Sequence, residues 1–191
     1  MGSKVQIDST SRVWARSVNP MVRVDAFTHV LHDAELGYQC HIGRYCVIED
    51  QARIGQRAVV EDYVTVPSGV NVGEQAVIGS HVVFADNAGQ YAAVGERTLI
   101  GEGARIGANA TVLRGITVGR HALIDPGSLV LRDVPDYARV SGNPAQQDGW
   151  VCACGKSLNL PVSGDKHATC SCGRSYRLLD DQLSKHTQLG E

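Results

Sequence analysis

From Val24 onward the chain places an apolar residue at every sixth position: Val24, Val30, Leu36, Ile42, Ile48, Ile54, Val60, Val66, Val72 and Ile78, closed by Phe84. The same period resumes at Ile100 and runs through Ile106, Val112, Val118 and Ile124 to Val130. Glycine follows the aliphatic residue at 37, 43, 55, 73, 79, 101, 107 and 119. Four positions on from it lie small or slim side chains, among them Ala34, Cys40, Cys46, Ala52, Ala76, Ala104, Ala110, Ala122 and Ser128. A period of six fits neither the helical 3.6 nor the strand alternation of two. It fits a flat strand of a few residues followed by a sharp corner, with residues that tolerate unusual dihedrals serving the corner. Three such faces close a triangular coil, and stacked coils pair their backbone groups with the rung above and below. The expected fold is all-β, a parallel β-helix of hexapeptides. A β-sandwich would have to reproduce this spacing by coincidence over both runs.

Composition agrees. Only two Phe and two Trp are present against 21 Gly, so the core must be built from Val, Ile, Leu and Ala, which suits thin stacked layers. With 18 Lys+Arg against 20 Asp+Glu, no basic stripe points to nucleic acid and no acidic block to a tail. No apolar run is long enough to span a bilayer, and the first residues lack a secretory core, so a cytoplasmic protein is expected. Cys40 and Cys46 fall at successive small inward positions and read as buried thiols acting as small apolar groups.

The period breaks between Phe84 and Ile100, where "ADNAGQYAAVGERTL" must leave the coil as an excursion loop near 85–99 and return in a new phase. A solenoid has featureless faces, so function is expected where a loop makes a wall. Asp86, Asn87, Gln90 and Tyr91 supply polar and aromatic groups there, and His81 lies just before it at an outward position. His32, His41 and His121 also take non-inward positions and read as surface groups.

The stretch "IGANATVLRGITVGRHALIDPGSLVLRDVPDYARVSGNPA" resembles the C-terminal coils of the hexapeptide-repeat acyltransferases, whose coil is left-handed. "GNPA" at Gly142–Ala145, followed by "QQDGWVCACG", is similar to bacterial N-acetyltransferases of nucleotide-linked 3-amino sugars. "FTHV" at Phe27–Val30 and "VVFADN" before the loop add to that likeness. Two departures stand out: the loop lacks the family's "NPR" element, and Gln146 replaces a basic residue, leaving Arg132 and Arg139 as the nearest cations for CoA phosphates. The resemblance implies a homotrimer with acetyl-CoA in the groove between subunits. Its pantetheine arm would meet backbone near Gly107, Ala108 and Ala110 and near Ala122 and Pro126. Arg132, Asn143 and Pro144 would lie at the cofactor's other end. Asp86 or Asn87 would orient the sugar amine, and Asp86 or His81 would take its proton. O-acetylation of a sugar hydroxyl and a non-catalytic β-helical scaffold are the alternatives. A γ-type carbonic anhydrase is disfavoured because "VLRG" puts Arg114 where that enzyme needs a histidine, with Asn109 upstream.

The coils are expected to fill residues 1–148. In the tail, 149–191, "CACG" and "CSCG" repeat a Cys-x-Cys-Gly element, so Cys152, Cys154, Cys170 and Cys172 read as a zinc ribbon with a structural zinc. Common knuckles have two intervening residues and these have one, which makes His167 a substitute ligand and leaves a metal-free β-tail as the alternative. So short a tail buries little core, and a metal would supply the missing stability.

Overall fold

The computed structural model describes residues 4–85 and 97–186. The described residues contain no helix, and therefore none long and apolar enough to cross a membrane. Strands of two or three residues alternate with corners and stack in parallel on three faces. On the first face His41 pairs with Val59 and Val59 with Val77, an offset of eighteen residues per coil. The predicted inward residues, from Val24 to Val130, are all buried, and so are the small residues four positions on. Each rung therefore lays its aliphatic side chain on the one below, while backbone donors run up the stack, as Val59 N–H to Ala76 O (2.8 Å) and Gly55 N–H to Val72 O (2.8 Å).

The coils begin before the counted run, within the expected span 1–148: strands Gln6–Ile7, Arg12–Val13 and Ser17–Val18 form an earlier turn. Its first two strands pair at an offset of seventeen, Gln6 with Arg23 and Arg12 with His29, so one missing residue hides them from a six-residue period. The hexads resume in a new phase after the excursion: Val72 pairs with Ile100 and Phe84 with Val112, so the offset grows to twenty-eight while the rungs stay in register. The ten added residues are not a multiple of six, and the expected loop end near 99 is corrected, because Thr98–Ile100 is already strand.

A further correction concerns the corners. Glycine after the inward aliphatic residue is required for space: a Cβ on Gly55 would meet Gly73 C at 2.6 Å and Glu74 N at 2.7 Å in the next coil. The left-handed backbone falls two residues later and is borne mostly by larger residues, including Tyr45 (φ 54°), Tyr63 (φ 60°), His81 (φ 60°) and Asn109 (φ 58°). That conformation costs about 1–2 kcal/mol for an L-residue. Each of these residues offsets the cost with a backbone bond to the preceding coil, as Tyr63 N–H to Arg44 O (2.8 Å) and Asn109 N–H to Ser80 O (2.9 Å).

At its upper end the stack changes character. Ala138–Gly142 lies parallel on Leu123–Ile124, then turns back through Asn143 and Pro144 into the antiparallel strand Ala145–Val151. That strand crosses the expected boundary at 148 and continues the first face, which ends at Ser157–Leu158 as a ten-stranded sheet. A separate three-stranded sheet, Lys166–Thr169, Ser175–Leu179 and Gln182–His186, forms the remainder of the tail.

Candidate active site and cysteine cluster

The corner between the first and second faces carries the residues of interest. Ascending it, the left-handed position is Phe27, Tyr45, Tyr63, His81, Asn109 and then Gly127. The first four are rings stacked face to face, with centroids 5.0, 4.9 and 4.8 Å apart and planes within 13°. That spacing is the separation of hydrogen-bonded strands, so the backbone ladder itself sets the stack. All four rings are exposed. A residue-by-residue reading missed this column; its signal is an eighteen-residue spacing of aromatic side chains.

His81 ends the ladder. Its ring lies on Tyr63, its backbone N–H donates to Asp62 O (3.1 Å), and the strand it precedes, Val83–Ala85, leads into the excursion. Asp86 and Asn87 lie outside the described residues, as do Gln90 and Tyr91. Above His81 the corner narrows to Gly107, Ala108 and Asn109 and then Asp125, Pro126 and Gly127. The coils touch so closely there that a Cβ on Gly107 would meet Pro126 N at 2.5 Å. A thread-like ligand could lie along this slim edge.

Ala110 and Ala122 do not sit on that surface. Both side chains are fully buried. Ala110 O accepts from Val83 N–H and Ala122 O from Arg105 N–H, while their own N–H groups bond Gly107 O and Gly119 O. The small position faces the core, so the surface belongs to the residues immediately before it.

Arg132 and Pro144 come together at a pocket of about 340 Å³ with Leu131, Val140, Ala145 and Gln147 in its wall. Asn143 stands exposed at the adjoining turn. Arg139 is engaged elsewhere, with Nη2 2.6 Å from Asp125 Oδ2 and Asp148 nearby, which leaves Arg132 as the exposed cation at the pocket. Cys40 and Cys46 are inert: burial pushes their thiols up to about 12 and about 11, so neither is a nucleophile near neutral pH. His41 bonds Asp25 (2.8 Å), His32 stacks on Trp14 (5.7 Å) and His121 on Tyr137 (5.3 Å).

Residues 97–132 match the family model described as bacterial transferase hexapeptide (six repeats), and residues 45–83 match the hexapeptide repeat of succinyl-transferase. This is a hexapeptide-repeat chain. The repeat is accompanied by a sequence likeness to the dTDP-3-amino-3,6-dideoxy-alpha-D-galactopyranose 3-N-acetyltransferase of Aneurinibacillus thermoaerophilus, 44% identical over 59 residues. That match covers 31% of this chain and 29% of the relative's length. Among solved structures, WeeI from Acinetobacter baumannii AYE superposes with a TM-score of 0.53 at 16% identity, over 74% of this chain and 56% of the other. PerB from Caulobacter crescentus, solved with CoA and GDP-perosamine, gives 0.49 at 23% identity over 67% and 57%. The likeness to WeeI is one of fold.

The four tail cysteines also converge. Cys152 Sγ lies 3.5 Å from Cys172 Sγ and Cys154 Sγ 3.6 Å from Cys170 Sγ, and all four sulfurs fall within 4.8 Å of one another. His167 is not part of this group; it lies in strand Lys166–Thr169 with its ring against His186.

Proposed function

We propose that this hexapeptide-repeat chain transfers the acetyl group of acetyl-CoA to the amino group of a nucleotide-linked amino sugar. The observation that carries this reading is the 44% identity to a dTDP-3-amino-sugar 3-N-acetyltransferase. The chemistry asks little of the protein beyond placement. The neutral amine attacks the thioester carbonyl, the C–S bond breaks, CoA leaves as the thiol, and the amine's proton passes to a base. A thioester is already activated, so holding the two reactants together supplies much of the acceleration. No covalent enzyme intermediate is needed, which agrees with the high pKa of the coil's two thiols.

In this reading the pantetheine arm runs along the narrow corner at Gly107, Ala108 and Pro126, where backbone is accessible to a slim ligand. Arg132, Asn143 and Pro144 receive the nucleotide end of CoA. His81 or Asp86 accepts the amine proton, and Asn87 orients the acceptor. A single prism offers little concavity, so a second copy would close the groove, as the family resemblance to trimers implies. Six free thiols suit a reducing cytoplasm.

The test is thiol release from acetyl-CoA with a panel of nucleotide-linked amino sugars, together with His81→Asn and Asp86→Asn variants. Turnover is expected with a 3-amino sugar, and the variant lacking the base should lose about 10²–10⁴-fold in kcat. Thiol release with no amine acceptor, or acetyl found on a hydroxyl, would overturn the proposal.

A further inference from the structure

The cysteine cluster joins two sheets that, among the described residues, no backbone hydrogen bond joins. Cys152 and Cys154 lie in the turn between strands Ala145–Val151 and Ser157–Leu158, which belong to the ten-stranded sheet of the prism. Cys170 and Cys172 lie in the turn between Lys166–Thr169 and Ser175–Leu179, which belong to the separate three-stranded sheet. We propose that the four thiolates bind one zinc ion and that this ion fastens the tail sheet to the end of the prism.

The two turns are copies of one device. Cys152 N–H donates to Lys156 O (2.8 Å) and Gly155 N–H to Cys152 O (2.7 Å). In the second turn Cys170 N–H donates to Arg174 O (2.8 Å) and Gly173 N–H to Cys170 O (2.8 Å). Gly155 and Gly173 both take φ +88°, a backbone that favours glycine. The repeated Cys-x-Cys-Gly is thus a turn that presents thiols at its first and third residues, and one intervening residue is enough. This answers the doubt that the short spacing raises.

The sulfur geometry fits a tetrahedral ion. Zinc–sulfur bonds of about 2.3 Å place sulfurs about 3.8 Å apart at the corners of a tetrahedron. The 3.5 and 3.6 Å contacts are near that edge and far beyond a disulfide, whose S–S bond is about 2.05 Å. An all-thiolate set selects zinc over the hard oxygen-seeking cations. Polar groups that suit bound thiolates surround the set: Tyr176 Oη is 3.2 Å from Cys152 Sγ while accepting from Ala153 N–H (3.0 Å), and Arg174 Nη1 is 3.4 Å from Cys172 Sγ. With four protein ligands no position stays open to a substrate, so the ion's role is structural and independent of the acetyl-transfer reading.

Full-length protein purified without chelators should carry about one zinc per chain by elemental analysis. Reduced apoprotein titrated with Co²⁺ should develop the thiolate charge-transfer and ligand-field bands of a tetrahedral sulfur site. Cys172→Ser, at an exposed ligand, should weaken metal retention and dim those bands. Removing the metal should expose 152–186 to protease and hydrogen exchange while the coils keep their β circular dichroism. Absence of zinc from the native protein, failure of the reduced protein to bind Co²⁺, or a tail equally protected without metal would each overturn the proposal. These readouts need no acetyl acceptor, so their failure is distinguishable from failure of the proposed reaction.

Discussion

The prism and the tail solve the same problem by opposite means. Among the described residues, the coils bury no large aromatic side chain but Phe84; their layers are Val, Ile, Leu, Ala and two cysteines, repeated rung by rung. The two largest fully buried side chains of the described residues lie beyond the coils: Trp150 in the strand that ends the prism, and Tyr176 in the tail sheet with its hydroxyl 3.2 Å from Cys152 Sγ. The coil strands up to Leu129–Val130 are two or three residues long and pair in parallel, while the strands from Ala145 onward run from two to seven residues and pair antiparallel. In the prism stability is distributed over many similar interfaces, as in other solenoids. In the tail it is concentrated in a few groups, and the loss of one is felt by all.

The largest expected effect comes from a cavity inside the prism. Ile78 is fully buried between Val60 below and Ile106 above, with which its rung pairs. Ile78→Ala should cost about 2–5 kcal/mol, the transfer and cavity loss of a core Ile. Denaturant unfolding followed by circular dichroism would measure it, with metal retention by the tail as the second readout. The contrast predicts a weaker prism and an unchanged metal content. Loss of metal in step with the coils would show that the two regions form one cooperative unit.

A smaller effect tests whether the prism's stability lies wholly inside it. Tyr63 stacks on both Tyr45 and His81 at the exposed corner. Tyr63→Asn keeps a residue that tolerates the left-handed backbone, as Asn109 does on the same corner, and removes the ring. The expected loss is about 1 kcal/mol, since each aromatic pair contributes about 0.5–1.5 and exposure holds it low. A double-mutant cycle with Tyr45→Asn should return a coupling of about half that or more. Zero coupling would make the ladder a by-product of rung spacing.

The six-residue period was legible because every rung imposes the same demand, an aliphatic side chain on one side and no Cβ where the next coil presses close. Where the demand relaxes, the pattern fails. Ile7 lies 43% exposed on an end rung, so neither its side chain nor its spacing is constrained as Val24's is. The family resemblance places Ala110 and Ala122 near the cofactor through their backbone, yet their carbonyls and N–H groups are engaged within the coils and their side chains are buried. The ring ladder escapes a reading in hexads because it recurs only once per coil. The paired cysteines were legible as a cluster, but their sufficiency at one intervening residue depends on the turn's hydrogen bonds, which no spacing records. Of the residues proposed to react, His81 stands just before the strand Val83–Ala85, while Asp86 and Asn87 lie outside the described residues.

The smallest effect probes the joint itself. His121 stacks on Tyr137 (5.3 Å), and Tyr137 meets Tyr176 edge-on (5.4 Å), so three rings lead from the coils into the tail. Burial pulls the His121 imidazole below its ordinary 6.5, against the pull of Glu102 and Asp136 and with that of Arg120 and Arg174. A lowered folded pKa means that the unfolded chain takes up the proton first. Stability should therefore be full above about pH 6.5, fall as the pH drops from there toward the lowered folded value, and change no further below it. His121→Phe keeps a ring for stacking and removes the titration, so its Tm should fall less than the parent's between pH 7 and 5. Because the tail's thiolates also lose metal in acid, the comparison is made in zinc-saturated buffer with metal content measured at each pH. Equal slopes for the two proteins at constant metal content would place the joint's acid sensitivity in the carboxylates around the ring and not in the ring.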